Sequence, residues 1–352
     1  MRNVPQQEKR ALTESIPIGV LGCGKIAEEV HIPNLFNIAE FSLRSLCDVS
    51  PERLSTVGEK FGIPGERRFS SQEEFFKSGI QAVLVLSPTP YHFQNVKAAL
   101  EAGLHVFVEK PMCEKMEEGK ALVEEASSRN LVLAVGHFYG FFPQHILAKK
   151  KMAKVGRIKS VRLVGESLII KKEDGALLDY ASHFIHLLLW YFDYPAVRWV
   201  FADMAPEKEG EKEMDVRILA EMEGGARAEF SILWLPGLKN WDVLQRHVEI
   251  IGEKGRIRAA FTAPEVSLYH AGNLISRAVG MHSITPAFAM HPSVPVSQTS
   301  YRKELEDFRD AMTEKRPPAV DGRKALEVLA FLEAAFLSAR EGRKVSPAEV
   351  NP

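Results

Sequence analysis

Between Ile16 and about Val135 the chain alternates short apolar runs with longer segments whose apolar residues recur at helical spacing. The runs are IPIGVLG, FSLRSLCD, AVLVLS, HVFVEK and LVLAVG. Runs this short and this uniformly apolar fit strands buried on both faces, and intervening helical periodicity supplies the crossovers that parallel strands require. The intervening segments, such as Pro51 to Phe61 and Tyr91 to Ala102, begin near Ser, Pro or Asp, as helices do. A doubly wound α/β domain is therefore expected over 16–140, behind a polar tail at 1–15. After Phe142 the texture changes to alternating runs, SVRLVGESLII, VRILAEME, ARAEFSILWL and HVEIIGEKGRIRAAF, with turn signals at Gly224-Gly225 and Glu253-Lys254-Gly255. Helical patterns occupy about Ala176 to Phe192, Tyr301 to Met312 and Arg323 to Arg340, so residues 141–352 read as a second, α+β domain with an open, mainly antiparallel sheet. A stretch from Gly272 to Ser300, rich in Ser, Pro, Met and His, has poor periodicity and reads either as a mobile loop or as a partner-contacting arm.

Composition narrows the function. Lysine plus arginine number 45 against 46 aspartate plus glutamate, so there is no net positive field to hold nucleic acid or an anionic membrane. Three cysteines, Cys23, Cys47 and Cys113, lack the spacing of a structural zinc site and are an odd number, which argues against a disulfide framework. The polar start MRNVPQQEKRALTES lacks the apolar core of a signal peptide, and no apolar run reaches the roughly 18 residues of a membrane span. A cytoplasmic protein is the expectation.

The strand-like IPIGVLG runs directly into GCGKIA, placing Gly22, Gly24 and Ala27 at the positions of a G-x-G-x-x-G/A fingerprint, with Lys25 and Ile26 between. There the first glycine makes a tight turn, the second lets the backbone approach a pyrophosphate, and the third small residue lets helix pack on strand. The phosphates would rest on the free amides of the helix N-terminus. Asp48 ends the next apolar run, where a carboxylate can bind both ribose hydroxyls of an adenosine and repel a 2′-phosphate, so NAD is favoured over NADP. Alternatively, Asp48 simply caps the helix beginning near Pro51.

Glu109-Lys110-Pro111, directly after HVFV, resembles the EKP motif of the Gfo/Idh/MocA oxidoreductases, the family of glucose-fructose oxidoreductase and inositol dehydrogenase. The similarity runs from Ile16 to Val345. It takes in the fingerprint, SPTPYH at Ser87 to His92 with Pro88 inside it, GALLDYASH at Gly175 to His183 with a D-x-x-x-H signature, and closing segments ELEDFRDAM and SAREGRKV. The resemblance implies a Rossmann domain followed by an open antiparallel sheet, with a carbohydrate-like small substrate between that sheet and the nicotinamide, and a homo-oligomer, dimer or tetramer. It implies cofactor contacts from Gly22, Gly24, Lys25, Ile26, Ala27, Asp48, Ser87, Pro88, His92, Glu109 and Lys110, and catalysis by Lys110, Asp179 and His183.

The same residues have a physical reading. Asp179 and His183 stand four apart in a helical pattern, so the carboxylate can hold the imidazole and raise its proton affinity. Histidine can then take a hydroxyl proton while the carbon-bound hydrogen leaves as hydride. Lys110 at a buried strand end is placed where desolvation favours the neutral amine, fitting it for proton transfer or for polarising a carbonyl. Glu109 is expected to orient the lysine or a ribose. His183 and His186 make a His-x-x-His spacing, but no third ligand of sensible spacing follows, and no metal is expected.

The chain also departs from the family pattern. HFYGFF follows Val135-Gly136 where an arginine pair is common, Ala181 replaces the glycine of D-x-G-x-H, and His186 stands where an aspartate is usual. Only Lys171-Lys172-Glu173-Asp174 separate the strand from Gly175, too few for a sugar-contacting loop. The aromatic group Phe138, Tyr139, Phe141 and Phe142 either lines the cleft or packs the domain junction. Two alternative functions remain on this reading: an NAD-dependent glycosidase using transient oxidation, and a non-catalytic dinucleotide sensor. The coincidence of Lys110, Asp179 and His183 argues against the sensor, which has no need of a proton relay.

Overall fold

In the computed structural model the structure describes residues 15–351, apart from 168–173, 207, 209, 236–244, 262–264, 271–272 and 280–297. The strands β1 (Ile16–Leu21), β2 (Phe41–Cys47), β3 (Arg68–Phe69), β4 (Ala82–Val85), β5 (His105–Glu109) and β6 (Leu133–Gly136) form one sheet in the order β3-β2-β1-β4-β5-β6. Every pairing in it is parallel. The chain therefore starts in the middle and winds outward both ways, so the carboxyl ends of β1 and β4 diverge into the crevice where such sheets bind ligands. The expected runs all became strands because both sheet faces are covered. Val106 and Val108 enter one core cluster while Phe107 enters the opposite one. The two-residue β3 escaped notice because it is too short to carry a period.

The second sheet has eight strands: β7 (Ile158–Ser167), β8 (Val197–Pro206), β9 (Glu213–Met222), β10 (Arg227–Trp234), β11 (Arg246–Gly252), β12 (Gly255–Ala260), β13 (Glu265–His270) and β14 (Asn273–Val279), in the order β14-β13-β12-β11-β7-β10-β9-β8. All its pairings are antiparallel except β7 with β10. Burial alternates along β9 and β10, so one face is core and the other looks outward. The helix Ser182–Tyr191 lies on the core face, and Gly165 of β7 makes room for it: a Cβ there would stand 2.6 Å from Phe184 Cε2. Part of the aperiodic stretch 272–300 is regular after all, since residues 273–279 form the edge strand β14 and the helix Gln298–Glu314 begins before Ser300. Its remainder, with Lys171 to Glu173 and the tail before residue 15, lies outside the described residues.

The last two long helices, Gln298–Glu314 and Gly322–Glu341, return to the first sheet. Leu305 and Phe308 join the core beneath β1 and β2, and Val320, Ala325, Leu329 and Ala330 join the core on the other face. Asp321 caps the second of these helices by accepting from Lys324 N and also bridges to Ala134 of β6. The chain's end thus packs against its beginning and closes over the carboxyl end of β5.

Candidate active site

The loop after β1 is shaped by its glycines. Gly22 has φ +97°, and a Cβ on it would stand 2.7 Å from the backbone of Leu86 and Ser87, so only glycine lets β1 and β4 diverge this closely. Gly24 has nothing within 4 Å of where a Cβ would project. The loop backbone thus faces open space, as a phosphate-approaching turn must, and the residues fit a dinucleotide. Ala27 is fully buried, Ile26 is partly buried against the same core, and Lys25 is exposed. Asp48 lies before Ser50, whose side chain caps the helix Pro51–Lys60. Its Oδ1 accepts Ser50 N at 2.8 Å, at the start of the helix Pro51–Lys60, and its Oδ2 accepts Cys23 N at 2.6 Å, which braces the glycine loop.

After β4, Pro88 is exposed and leads a single 3₁₀ turn, Thr89–Tyr91. His92 is buried, with Nδ1 2.7 Å from Pro111 O and Nε2 2.7 Å from Ser87 O, so one ring ties the β4 loop to the β5 loop. Asn95, unnoticed in the sequence, donates to Ser87 Oγ at 2.8 Å.

At the end of β5 two adjacent charged residues turn to different partners. Glu109 Oε1 lies 2.7 Å from His31 Nε2, and its Oε2 accepts the Lys110 backbone N–H at 3.1 Å. Lys110, 8% exposed, donates through Nζ to Asp179 Oδ1 at 3.0 Å and to the Asp179 carbonyl oxygen. Both partners come from π-helical turns, His31 from Ala27–His31 and Asp179 from Leu177–Ala181. Such one-residue bulges recur at functional sites because they swing side chains off the regular helical faces. Here the Asp179 carboxylate pairs with the lysine. Glu109, expected to orient the lysine or a ribose, holds the lysine's backbone.

His183, also 8% exposed, stacks on Tyr139 with ring centroids 4.6 Å apart and meets His137 and Phe138 edge-on at 6.1 and 5.1 Å. The aromatic group thus does line the histidine's surroundings through Phe138 and Tyr139, while Phe142 sits fully in the core. His137 and His186 stack at 4.7 Å, both buried. Burial, with His186 and then Lys110 nearby, holds the His137 imidazole well below its usual range; burial pushes His186 down to about 3. Burial thus favours the neutral form of both stacked rings. Burial raises the Tyr139 hydroxyl and takes Tyr180 up to about 12, leaving both phenols protonated donors beside Arg246.

Sequence reasoning missed three residues here. His31, Tyr301 and Glu304 lie hundreds of positions apart or sit outside the motifs, yet Tyr301 stacks on Phe138 at 4.0 Å and meets His31 edge-on at 5.8 Å. Donor atoms of His31, Glu109 and Glu304 all lie within 4.8 Å of one another, the one such grouping among the described residues. The 2.7 Å contact of His31 with Glu109 makes it a hydrogen-bonded cluster.

This geometry agrees with the comparisons to known proteins. Residues 16–137 match the oxidoreductase family model with an NAD-binding Rossmann fold, and residues 169–346 match that family's C-terminal α/β domain. The chain belongs to the Gfo/Idh/MocA oxidoreductase family. It is 27% identical to myo-inositol 2-dehydrogenase of Thermotoga maritima over 95% of this chain and 99% of that protein. It is 24% identical to scyllo-inositol 2-dehydrogenase (NADP(+)) IolW of Bacillus subtilis over 96% and 97% of the two chains. The match to the putative oxidoreductase YceM of Salmonella typhimurium, 28% identical, spans only 50% of this chain and 56% of that protein. An oxidoreductase from Agrobacterium radiobacter, solved with NAD+, L-tartaric acid and magnesium, shares the fold with a TM-score of 0.84 at 19% identity, covering 95% of this chain and 99% of that one. Among the described residues no helix is long and apolar enough to cross a membrane.

Proposed function

We propose that this enzyme moves hydride between NAD and a hydroxyl or carbonyl carbon of a sugar, a cyclitol or a sugar derivative. The observation that carries the reading is the Lys110–Asp179 salt bridge, drawn from the two halves of the chain and set near His137, Phe138, Tyr139 and His183. Bound NAD supplies the hydride acceptor. Gly22, Gly24 and Ala27 shape the turn that holds it, and Asp48 favours NAD over NADP because a second acidic charge, the 2′-phosphate, is repelled by a carboxylate already fixed at the loop.

In the oxidising direction His183 takes the proton from the substrate hydroxyl, with Tyr139 stacked on its ring to fix the plane. Lys110, anchored by Asp179, hydrogen-bonds the same oxygen and stabilises the charge that develops on it. In reduction the two return the proton to the carbonyl oxygen. The salt bridge keeps the amine from swinging away, which matters because Lys110 sits at a strand end with a flexible four-carbon stem.

We further propose a homo-oligomer that packs through the outward face of the second sheet, where Phe201 and Leu219 are 36% and 49% exposed among charged residues. Light scattering that gives only a 39.4 kDa monomer at micromolar concentration removes this part. The test of the activity is a screen of inositols, aldoses and nucleotide sugars for change at the nicotinamide absorbance band. Tight NAD binding with no turnover of any of them, in either direction, overturns the enzymatic reading in favour of a sensor. Release of a glycosidic alcohol with no net change in NADH points to the glycosidase.

A further inference from the structure

Glu304 is brought to the end of β5 by the helix Gln298–Glu314, and it is 4% exposed. Neither of its carboxyl oxygens has a hydrogen-bond partner among the described residues. Its carboxyl lies within 4.8 Å of the Glu109 carboxyl, which is already committed as an acceptor from the Lys110 backbone and is paired with His31. A carboxylate that accepts N–H groups is held in its charged form, whereas one buried without donors is driven to the neutral acid. Of two carboxyls this close, the more deeply buried one without donors keeps the proton, and that one is Glu304. Burial, then the charges of Glu109 and Asp307, raise its carboxyl well above the usual range. A divalent cation is a poorer account of the cluster, because the atoms of His31 and Glu109 that would bind it are already joined to each other at 2.7 Å.

We propose that Glu304 is a positioning residue that works as a neutral acid, leaving Glu109 as the single negative charge that fixes the main chain of Lys110. The proposal rests on the reading of Lys110 as a catalytic group, and it deepens that reading. The titratable groups facing Glu304 are His31 from the first π-helical turn, Glu109 with Lys110 beyond it from β5, and Tyr301 and Asp307 from its own helix. Tyr301 also stays protonated, since burial, with the charges of Glu109 and Asp179 nearby, raises its hydroxyl. When Glu304 ionises, a second buried negative charge faces Glu109, and the strand end that carries Lys110 is displaced.

The sign of the pH effect follows. The folded protein keeps a proton on Glu304 that the unfolded chain releases, so stability falls as pH rises from the ordinary carboxyl range towards the raised folded value. Glu304→Gln keeps the shape and the neutral state. Its melting temperature is expected to exceed that of the wild type at pH 9, with the gap closing as the pH falls to 5. Infrared difference spectroscopy of the wild type at pH 7 is expected to show a protonated-carboxyl stretch that the Gln variant lacks. Once a substrate is in hand, Glu304→Ala is expected to lower kcat by about tenfold with KM for NAD little changed, as for a displaced catalytic group. Glu304→Gln should recover most of that loss and extend the alkaline limb of the kcat profile.

A Gln variant that is less stable than the wild type by the same amount at every pH overturns the proposal, because it shows a working carboxylate. Stoichiometric divalent metal in the purified protein that is lost in the Gln variant overturns it too. The melting and infrared measurements do not depend on turnover. If Lys110→Ala proves fully active while those two results hold, the catalytic reading has failed and the neutral acid stands.

Discussion

The two π-helical turns of this protein serve neighbouring residues in opposite ways. The turn Ala27–His31, in the dinucleotide half, gives Glu109 a fully buried histidine, and the cluster is sealed further by Tyr301 and Glu304. The turn Leu177–Ala181, in the other half, gives the buried Lys110 an aspartate whose side chain keeps 12% exposure, near the buried His183. One peptide bond separates a carboxylate braced by a histidine from an amine braced by an aspartate. A catalytic side chain needs a rigid main chain beneath it, and under the proposed function the Glu109 side supplies that rigidity for Lys110.

The largest expected effects lie on the Lys110 side. Lys110→Ala and His183→Ala should each lower kcat by about 10²-fold or more, the scale for losing a positioned acid or base, with NAD affinity held within a few-fold. Steady-state kinetics alongside calorimetric NAD titration separate the two quantities. If either variant keeps near wild-type turnover, that group is structural and the Lys110 side loses its claim to the chemistry.

Next comes Asp179→Asn, expected to cost about tenfold in kcat, since the carbonyl oxygen of residue 179 still receives the amine when the ionic partner is gone. Because Asp179 pairs with Lys110, a cycle with Lys110→Ala should show a coupling of about 1–3 kcal/mol, whereas one with His183→Ala should be nearly additive. Strong coupling to His183 with none to Lys110 would restore the regular-helix spacing that the chain suggested at first.

The Lys110–Asp179 pair marks where the sequence stops being legible. The parallel sheet was readable because its strands are buried on both faces, so each is a bare apolar run. The glycine fingerprint was readable because Gly22 is compelled by a local clash with the β4 loop. The EKP and D-x-x-x-H motifs pointed to Lys110, Asp179 and His183, but not to the contact of Lys110 with Asp179. A π-helical turn changes side-chain direction without leaving a mark in hydrophobic periodicity, and both such turns sit under this site. His31 and Glu304 were invisible for a related reason: each is a polar residue buried only because chain segments far apart in sequence close over β5. The edge strand β14 was lost inside an aperiodic stretch because an edge has little core to impose alternation.

A milder effect is expected on the Glu109 side. His31→Leu removes the group facing Glu109 Oε1 and leaves that oxygen underused in a buried cluster, so it should destabilise the fold by about 1–3 kcal/mol. Measured well below its melting temperature, the variant should retain more kcat than Lys110→Ala. A His31→Leu protein of unchanged stability whose kcat falls as far as that of Lys110→Ala would erase the distinction between the two sides.

The smallest effect concerns the far end of the same crevice. Asp48 spends its two oxygens on the backbone of Ser50 and Cys23, so it is fixed before any nucleotide arrives and offers a negative charge at a set position. Asp48→Asn keeps one acceptor oxygen and removes the charge. NAD should bind a few-fold more weakly, since a ribose contact passes from an ionised acceptor to a neutral one, and NADP should bind more tightly, since the repulsion of its 2′-phosphate is relieved. The ratio of the two affinities is the informative quantity, because loosening of the glycine loop at Cys23 weakens both cofactors alike and cancels in it. Calorimetry with both nucleotides on both proteins gives that ratio. An unchanged ratio with both affinities reduced would make Asp48 a brace for the loop and nothing more, and the choice between NAD and NADP would then have to come from residues other than Asp48.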